Sequence, residues 1–249
     1  MGKNLLVSAF IDIYPDRSGL KSLDFCFKHF ESMAASGIEI VLFISKNIRN
    51  EISKIIEKYD NVRVHKEIEL IETRTWKLFN KESYGLPERR NVKKDTIEYI
   101  TLMNCKTEFV NEIIEDERYN GYDGYGWIDF NIFHVISDIE NGQKRLKEIS
   151  EKETKIMKGV RIPGCWTIPG FRYNEIMNEI HWRFCGGIYI GSREKIEEMC
   201  RIYWLSIELI IEKQKKIVWE VNIWAIMEVE YGWRPEWFAG DHNDTILNI

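Results

Sequence analysis

Short apolar runs rich in β-formers alternate with amphipathic stripes through the first part of the chain. A chain patterned this way folds as a mainly parallel sheet with helices on both faces. Leu5 to Ile13 reads as the first strand. Leu20, Leu23, Phe27, Phe30 and Ala34 then recur at steps of three and four, one helical face, which Gly37 terminates. Ile38 to Ser45 is the second strand, and Ile48, Ile52, Ile55 and Tyr59 mark the next helix. After a turn at Asp60-Asn61, Val62 to Ile68 alternates as a third strand, completing a β-α-β-α-β unit.

The pattern weakens from Glu72 to Asn91, where Gly85-Leu86-Pro87 and Arg89-Arg90 predict an irregular segment, and a helix is expected from about Val92 to Asn111. Gly121-Tyr122-Asp123-Gly124 leads into a strand, the short apolar run Tyr125 to Asn131, that ends in polar side chains. A charged helix over Ser137 to Lys158 precedes a loop rich in Pro, Gly and aromatics. Phe184 to Gly191 reads as a strand entered through Gly186-Gly187. Ser192 starts a long helix that carries Ile196, Met199, Tyr203, Ile207 and Ile210 inward, and Trp219 to Glu230 forms another. The chain ends in a polar tail, Asp241-His242-Asn243-Asp244. At 249 residues with 44% hydrophobic content, one α/β domain suffices.

Charge narrows the function classes. A net charge of -5 gives no general attraction to a phosphate backbone, so nucleic acid is not an expected partner. No apolar run is long enough to span a bilayer, the amino terminus lacks a signal peptide's features, and Leu6 stands where a myristoylation motif wants Ser or Thr. The five cysteines, Cys26, Cys105, Cys165, Cys185 and Cys200, are scattered, with no pair at the short spacing of a zinc site. They read as free thiols in a reducing compartment, and the expected location is cytoplasmic.

The place to look for chemistry is the end of the Tyr125–Asn131 strand, because ligands of open parallel sheets collect beyond the carboxyl ends of strands. Asp129 and Asn131, two residues apart, offer oxygens to one hard cation, Mg²⁺ or Mn²⁺; on spacing alone they serve a turn or a helix cap equally well. Gly186 and Gly187 permit close backbone approach, either for a loop cradling a ligand or for a bulge. Trp166, Phe171, Tyr173 and Trp182 offer flat faces to sugar rings or anchor the core.

Trp127-Ile128-Asp129-Phe130-Asn131, following Lys94-Asp95-Thr96 and Leu102-Met103-Asn104-Cys105-Lys106, resembles the HtrL/YibB-type family of glycosyltransferase-like proteins. Val7-Ser8-Ala9-Phe10, Phe184-Cys185-Gly186-Gly187, Trp219-Glu220 and the ending Trp237 to Asn243 extend the similarity over most of the chain, in the same order. The resemblance implies a Rossmann-like fold of the GT-A type, with residues 1–131 as the nucleotide-sugar half and 132–249 as the acceptor half. It also implies a nucleotide-sugar donor whose diphosphate is bridged by a divalent metal at an Asp-x-Asp motif. Here Asn131 replaces the second Asp, which removes a negative charge from the metal site.

On the same resemblance Ser8, Ala9, Phe10 and Asp12 contact the donor nucleoside, Lys94 and Lys106 meet its phosphates, and Gly186 and Gly187 cradle it. His242 joins Asp129 and Asn131 on the metal, Glu220 acts as catalytic base beside Asp129, and Trp166, Tyr173 and Trp182 hold the acceptor, a glycan or another hydroxyl compound. The rival is a non-catalytic carbohydrate-binding or assembly protein on the same fold. A phosphotransferase using Asp12 as nucleophile lacks the second acid two residues on, where Tyr14 stands.

Overall fold

A computed structural model describes residues 3–14, 22–167 and 173–249. Among these residues seven strands form one sheet in the order β3-β2-β1-β4-β6-β5-β7. β1 (Asn4–Phe10) lies near its centre, flanked in parallel by β2 (Glu39–Ile44) and β4 (Gly124–Ile128), and β2 pairs in parallel with β3 (Val62–Glu67). β6 (Ile188–Ser192) runs antiparallel to β4, and β5 (Arg161–Gly164) is antiparallel to β6 but parallel to β7 (Glu236–Ala239). The expected α/β class, a mainly parallel sheet flanked by helices, is what the chain adopts.

Strand alternation divides the interior into two cores. Leu5, Val7, Val41, Phe43, Tyr125, Trp127 and Tyr189 face one side, where α4 (Ile97–Glu115), α7 (Arg193–Gln214) and α8 (Glu220–Glu230) pack. Leu6, Ile40, Leu42, Ile128, Ile188 and Ile190 face the other, beneath α1 (Leu23–Ala34), α2 (Arg49–Lys58) and α5 (Ile139–Ser150). Helix starts follow the chemistry of their caps: Ser22, Thr96, Asp138 and Ser192 each accept a backbone N–H from the first turn. Gly37, at φ +79°, turns the chain after α1 into β2. Among the described residues no helix is long and apolar enough to cross a membrane.

Several elements differ from the sequence expectation. β1 ends at Phe10, where its carbonyl accepts from Ser45 N–H, and residues 11–14 leave the sheet. Leu20, Pro169 and Phe171 lie outside the described residues. The irregular stretch after Glu72 contains a further helix, α3 (Arg74–Phe79), capped by Thr73. α4 begins at Ile97 rather than Val92, because Thr96 supplies the cap. The charged helix stops at Ser150, and β5 follows it, a four-residue strand containing Pro163 and Gly164 that alternation could not reveal. β7, equally short, passed unrecognised. The polar tail is anchored: Asp244 accepts from Ser137 N–H at 2.9 Å, and Ile246 and Leu247 are buried.

At Gly126 the sheet leaves no room for a side chain, since a Cβ would lie 2.0 Å from the Tyr189 carbonyl across the β4–β6 ladder. A Cβ on Gly121 would meet nothing within 4 Å. Gly126→Ala is expected to destabilise the fold by about 3 kcal/mol, whereas Gly121→Ala should stay within about 0.5 kcal/mol of the parent. Chemical denaturation of both variants checks the difference, and equal midpoints would contradict the β4–β6 register.

Candidate active site

The strand order reverses beside β1, since the chain winds outward through β2 and β3 and then returns to place β4 on β1's other edge. Loops diverge at such a point and leave a crevice beyond the carboxyl ends of the strands. Asp12 follows β1 and Asp129 follows β4 at this edge.

Asp129 belongs to a buried ionic cluster. Lys106, halfway along α4, is 2% exposed, and its ammonium lies 3.0 Å from Asp129 Oδ1, 2.9 Å from Glu220 Oε1 and 2.8 Å from the Gly186 carbonyl. Those three acceptors match the three donors of an ammonium. Trp127 Nε1 donates to Asp129 Oδ1 at 2.7 Å, and Asp129 N–H donates to the Gly187 carbonyl at 2.8 Å, extending the β4–β6 pairing by one step. The Asp129 side chain is 36% exposed and that of Glu220 only 6%, so the cluster opens to solvent on the Asp129 side. The contacts of the Asp129 carboxylate from Lys106 and Trp127 both fall on Oδ1.

Burial opposes the charge on Lys106, but Asp129 and Glu220 outweigh it and hold the ammonium above its usual range. Glu220 is raised, chiefly by burial and further by Asp129, while Lys106 pulls it down. Two carboxylates and one ammonium leave one net negative charge. Glu220 is also the first residue of α8, where the helix dipole favours an anion. Asn104 braces the corner by donating to the Val218 carbonyl at 2.9 Å and accepting from Tyr203 Oη at 2.5 Å.

Other expected site residues take different places. Ser8 is fully buried, with a hydroxyl that has no partner among the described residues, and Phe10 packs its ring on Phe130 and Phe27 at 4.8 and 5.7 Å. Ala9 is half-buried against the α4-side core. Asp12 N–H donates to Ser45 Oγ at 2.9 Å. Lys94 is exposed, 4.9 Å above the Tyr99 ring. Lys106, expected to meet phosphate, instead has its donors committed inside the cluster. Gly186 and Gly187 serve this packing: a Cβ on Gly186 would lie 2.4 Å from Glu220 Oε1, and one on Gly187 would lie 2.8 Å from Ile246.

Asp129 and Asn131 do not act as a strand pair. β4 ends at Ile128, and Ile132 N–H donates back to the Asp129 carbonyl at 3.0 Å, so the chain turns between them. Asp129 faces Trp127 and α4, whereas Asn131 directs its amide toward Cys26 on α1 at 4.0 Å. His242 sits beside Asp241, Cys165 and Cys185 rather than in the ionic cluster. Trp166 is exposed and Trp182 half-buried, with its ring edge-on to His242 at 4.6 Å; the Tyr173 side chain lies outside what is described. Tyr99, which the sequence did not single out, borders the cluster: burial first, then the charges of Glu220 and Asp129, raise its phenol. Its position one helical face from Lys106, at i and i+7, is the signal that could have found it.

A single carboxylate plus substrate phosphates is an ordinary way to hold Mg²⁺ or a similar hard cation. Asp129, with its partly exposed carboxylate, fits that limited role. Asn131 and His242 do not converge on it.

A family model described as a bacterial protein of unknown function (HtrL_YibB) matches residues 3–239, and the chain belongs to that family. A search of curated proteins returns no match. Among solved structures the chain is similar to 4-diphosphocytidyl-2C-methyl-D-erythritol synthase from Anaerococcus prevotii DSM 20548, at 11% identity over 98% of this chain and 89% of that one, TM-score 0.46. It is similar to a glycosyltransferase involved in glycosylation of the major capsid of PBCV-1, at 9% identity over 96% and 82%, TM-score 0.46. It is also similar to mouse xyloside xylosyltransferase 1, at 9% identity over 96% and 85%, TM-score 0.46.

Removing the ammonium leaves the buried Glu220 carboxylate without its counter-ion and near the charge of Asp129. Lys106→Met is expected to cost about 3–5 kcal/mol, with part recovered in the Lys106→Met, Glu220→Gln double variant. In Lys106→Met the group that lowers Glu220 is gone, so its pKa rises further above the ordinary 4.5. The folded state then holds a proton the unfolded chain releases, and stability present at acid pH is lost as pH rises through the folded value. Denaturation midpoints for this variant should be higher at about pH 5 than at about pH 8; the opposite order would contradict the cluster.

Proposed function

We propose that this member of the HtrL_YibB family is a glycosyltransferase that moves a sugar from a nucleoside-diphosphate sugar to a glycan or other hydroxyl acceptor. The observation that carries the reading is the Asp129–Lys106–Glu220 cluster at the switch point of the sheet, a fixed charge array opening on the crevice where a nucleotide would bind. Residues 1–131 form the donor side. Residues 132–249 supply the acceptor side, with Trp166 as the exposed aromatic face for a sugar ring. The five free thiols support a reducing compartment, and the reaction is assigned to the cytoplasm.

In this reading Asp129 would hold a divalent cation, Mn²⁺ or Mg²⁺, which when bound would supply positive charge against the leaving diphosphate. Lys106 fixes the Asp129 carboxylate through Oδ1, and Trp127 holds the same oxygen, so Oδ2 is presented in one orientation. The acceptor oxygen bonds to the anomeric carbon as the bond from that carbon to the diphosphate breaks, and the nucleoside diphosphate leaves with the electron pair. The acceptor's proton passes to Glu220, bringing the cluster from one net negative charge to neutrality. Burial suits Glu220 to this step, because a carboxylate raised above its ordinary range is a better base near neutral pH.

Calorimetric and thermal-shift titration against a panel of nucleoside diphosphates and nucleotide sugars, with and without Mn²⁺, tests the assignment. A response selective for one nucleobase, enhanced by Mn²⁺ and reduced at least about 100-fold in Asp129→Ala, is expected. Folded protein that responds to no nucleotide would overturn it in favour of a non-catalytic carbohydrate-binding role.

A further inference from the structure

Cys165, Cys185, Asp241 and His242 are distant in sequence but meet where β5, β6 and β7 come together, with one ligand atom from each lying within 4.8 Å of all the others. Cys165 Sγ is 3.5 Å from Cys185 Sγ and 3.2 Å from Asp241 Oδ1, and His242 Nδ1 is 3.1 Å from the same oxygen. We infer that these four side chains form a zinc site.

Distances, ligand type and scaffolding support it separately. With Zn–S near 2.3 Å and Zn–N and Zn–O near 2.0 Å, the edges of a zinc tetrahedron are about 3.8 Å for S to S, 3.5 Å for S to O and 3.3 Å for N to O. The three observed gaps fall a few tenths of an ångström inside those edges, so modest outward movement admits the ion. Two thiolates with one imidazole select a borderline-soft metal over the hard Mg²⁺ or Mn²⁺. In a reducing compartment, paired cysteines with a histidine are better read as metal ligands than as a disulfide.

The ligands also stand on a braced frame. Cys165 N–H donates to the Trp182 carbonyl at 3.1 Å, Cys185 N–H to the Pro163 carbonyl at 2.7 Å, and Gly240 N–H to the Gly164 carbonyl at 3.1 Å. Asp241 N–H is held by Thr245 Oγ1 at 3.0 Å, and the Trp182 ring edge contacts the His242 imidazole. Cys185 is buried, Cys165 partly so, and Asp241 and His242 are exposed, which gives the ion an entry side. Binding exchanges the two thiol protons for Zn²⁺ and releases both to solvent; the site then carries two thiolates, one carboxylate and a neutral imidazole.

This site is independent of the transferase reading. Reduced, chelator-treated protein is titrated with Zn²⁺ by calorimetry in buffers of different ionisation enthalpy, with Mg²⁺ and Mn²⁺ as controls and Co²⁺ as an optical probe. One Zn²⁺ per chain is expected, with about two protons released, a thiolate-to-cobalt charge-transfer band, and no saturable response to Mg²⁺ at the same site. Cys165→Ser and the exposed His242→Ala should each weaken Zn²⁺ at least about 10-fold, while Asp129→Ala leaves the zinc affinity within about 2-fold. Absence of zinc uptake by folded, reduced protein, undiminished affinity in both ligand variants, or a cobalt complex without the thiolate band would each overturn the site.

Discussion

The ammonium of Lys106 is the constraint on which the centre of the molecule depends. It arrives from α4 and is met by β4 through Asp129, by the approach to β6 through the Gly186 carbonyl, and by the start of α8 through Glu220. A buried cation with only one of these partners would carry a large desolvation penalty. With three it fixes the relative placement of four elements. Gly186 has to be a glycine for this reason, because a side chain there would occupy the space of the Glu220 carboxylate.

The neighbouring segment shows the same logic. Arg183 donates from two nitrogens to the two oxygens of Glu228, at 2.7 Å each, in a buried bidentate pair. Asn222 takes His181 N–H and gives both its donors to backbone carbonyls of Ile176 and Glu179. α8 is therefore fastened to residues 176–187 by polar contacts along much of its length. Its all-round burial explains why it shows no amphipathic stripe.

Elements long enough to show a period were legible in the sequence. α7 displays its inward face at Ile196, Met199, Tyr203, Ile207 and Ile210, all buried, while β1 and β2 stand out as continuous apolar runs and β3 as an alternating one. β5 and β7 were not, because four residues carry no period, and in β5 one of the four is a proline. At the site, Asp129, Glu220, Lys106 and Gly186 were each picked out singly. What the sequence could not express was that they form one cluster, since the pairing depends on α4 and α8 crossing the same strand end. Asn131 illustrates the converse: spacing of two implies a shared face only while the strand continues, and the turn at Asp129 sends it to the other layer.

Cys185, Gly186 and Gly187 are consecutive, and each meets a different partner. Cys185 Sγ faces Cys165, the Gly186 carbonyl faces Lys106, and the Gly187 carbonyl takes the Asp129 N–H. Backbone groups, unlike side chains, cannot be repositioned without moving the chain, so a displacement at Cys185 is passed directly to the oxygen that holds Lys106. The position of the Asp129 carboxylate is thus tied to how β5, β6 and β7 meet on the far side of the sheet. The two sites are separate in chemistry but share one rigid tripeptide.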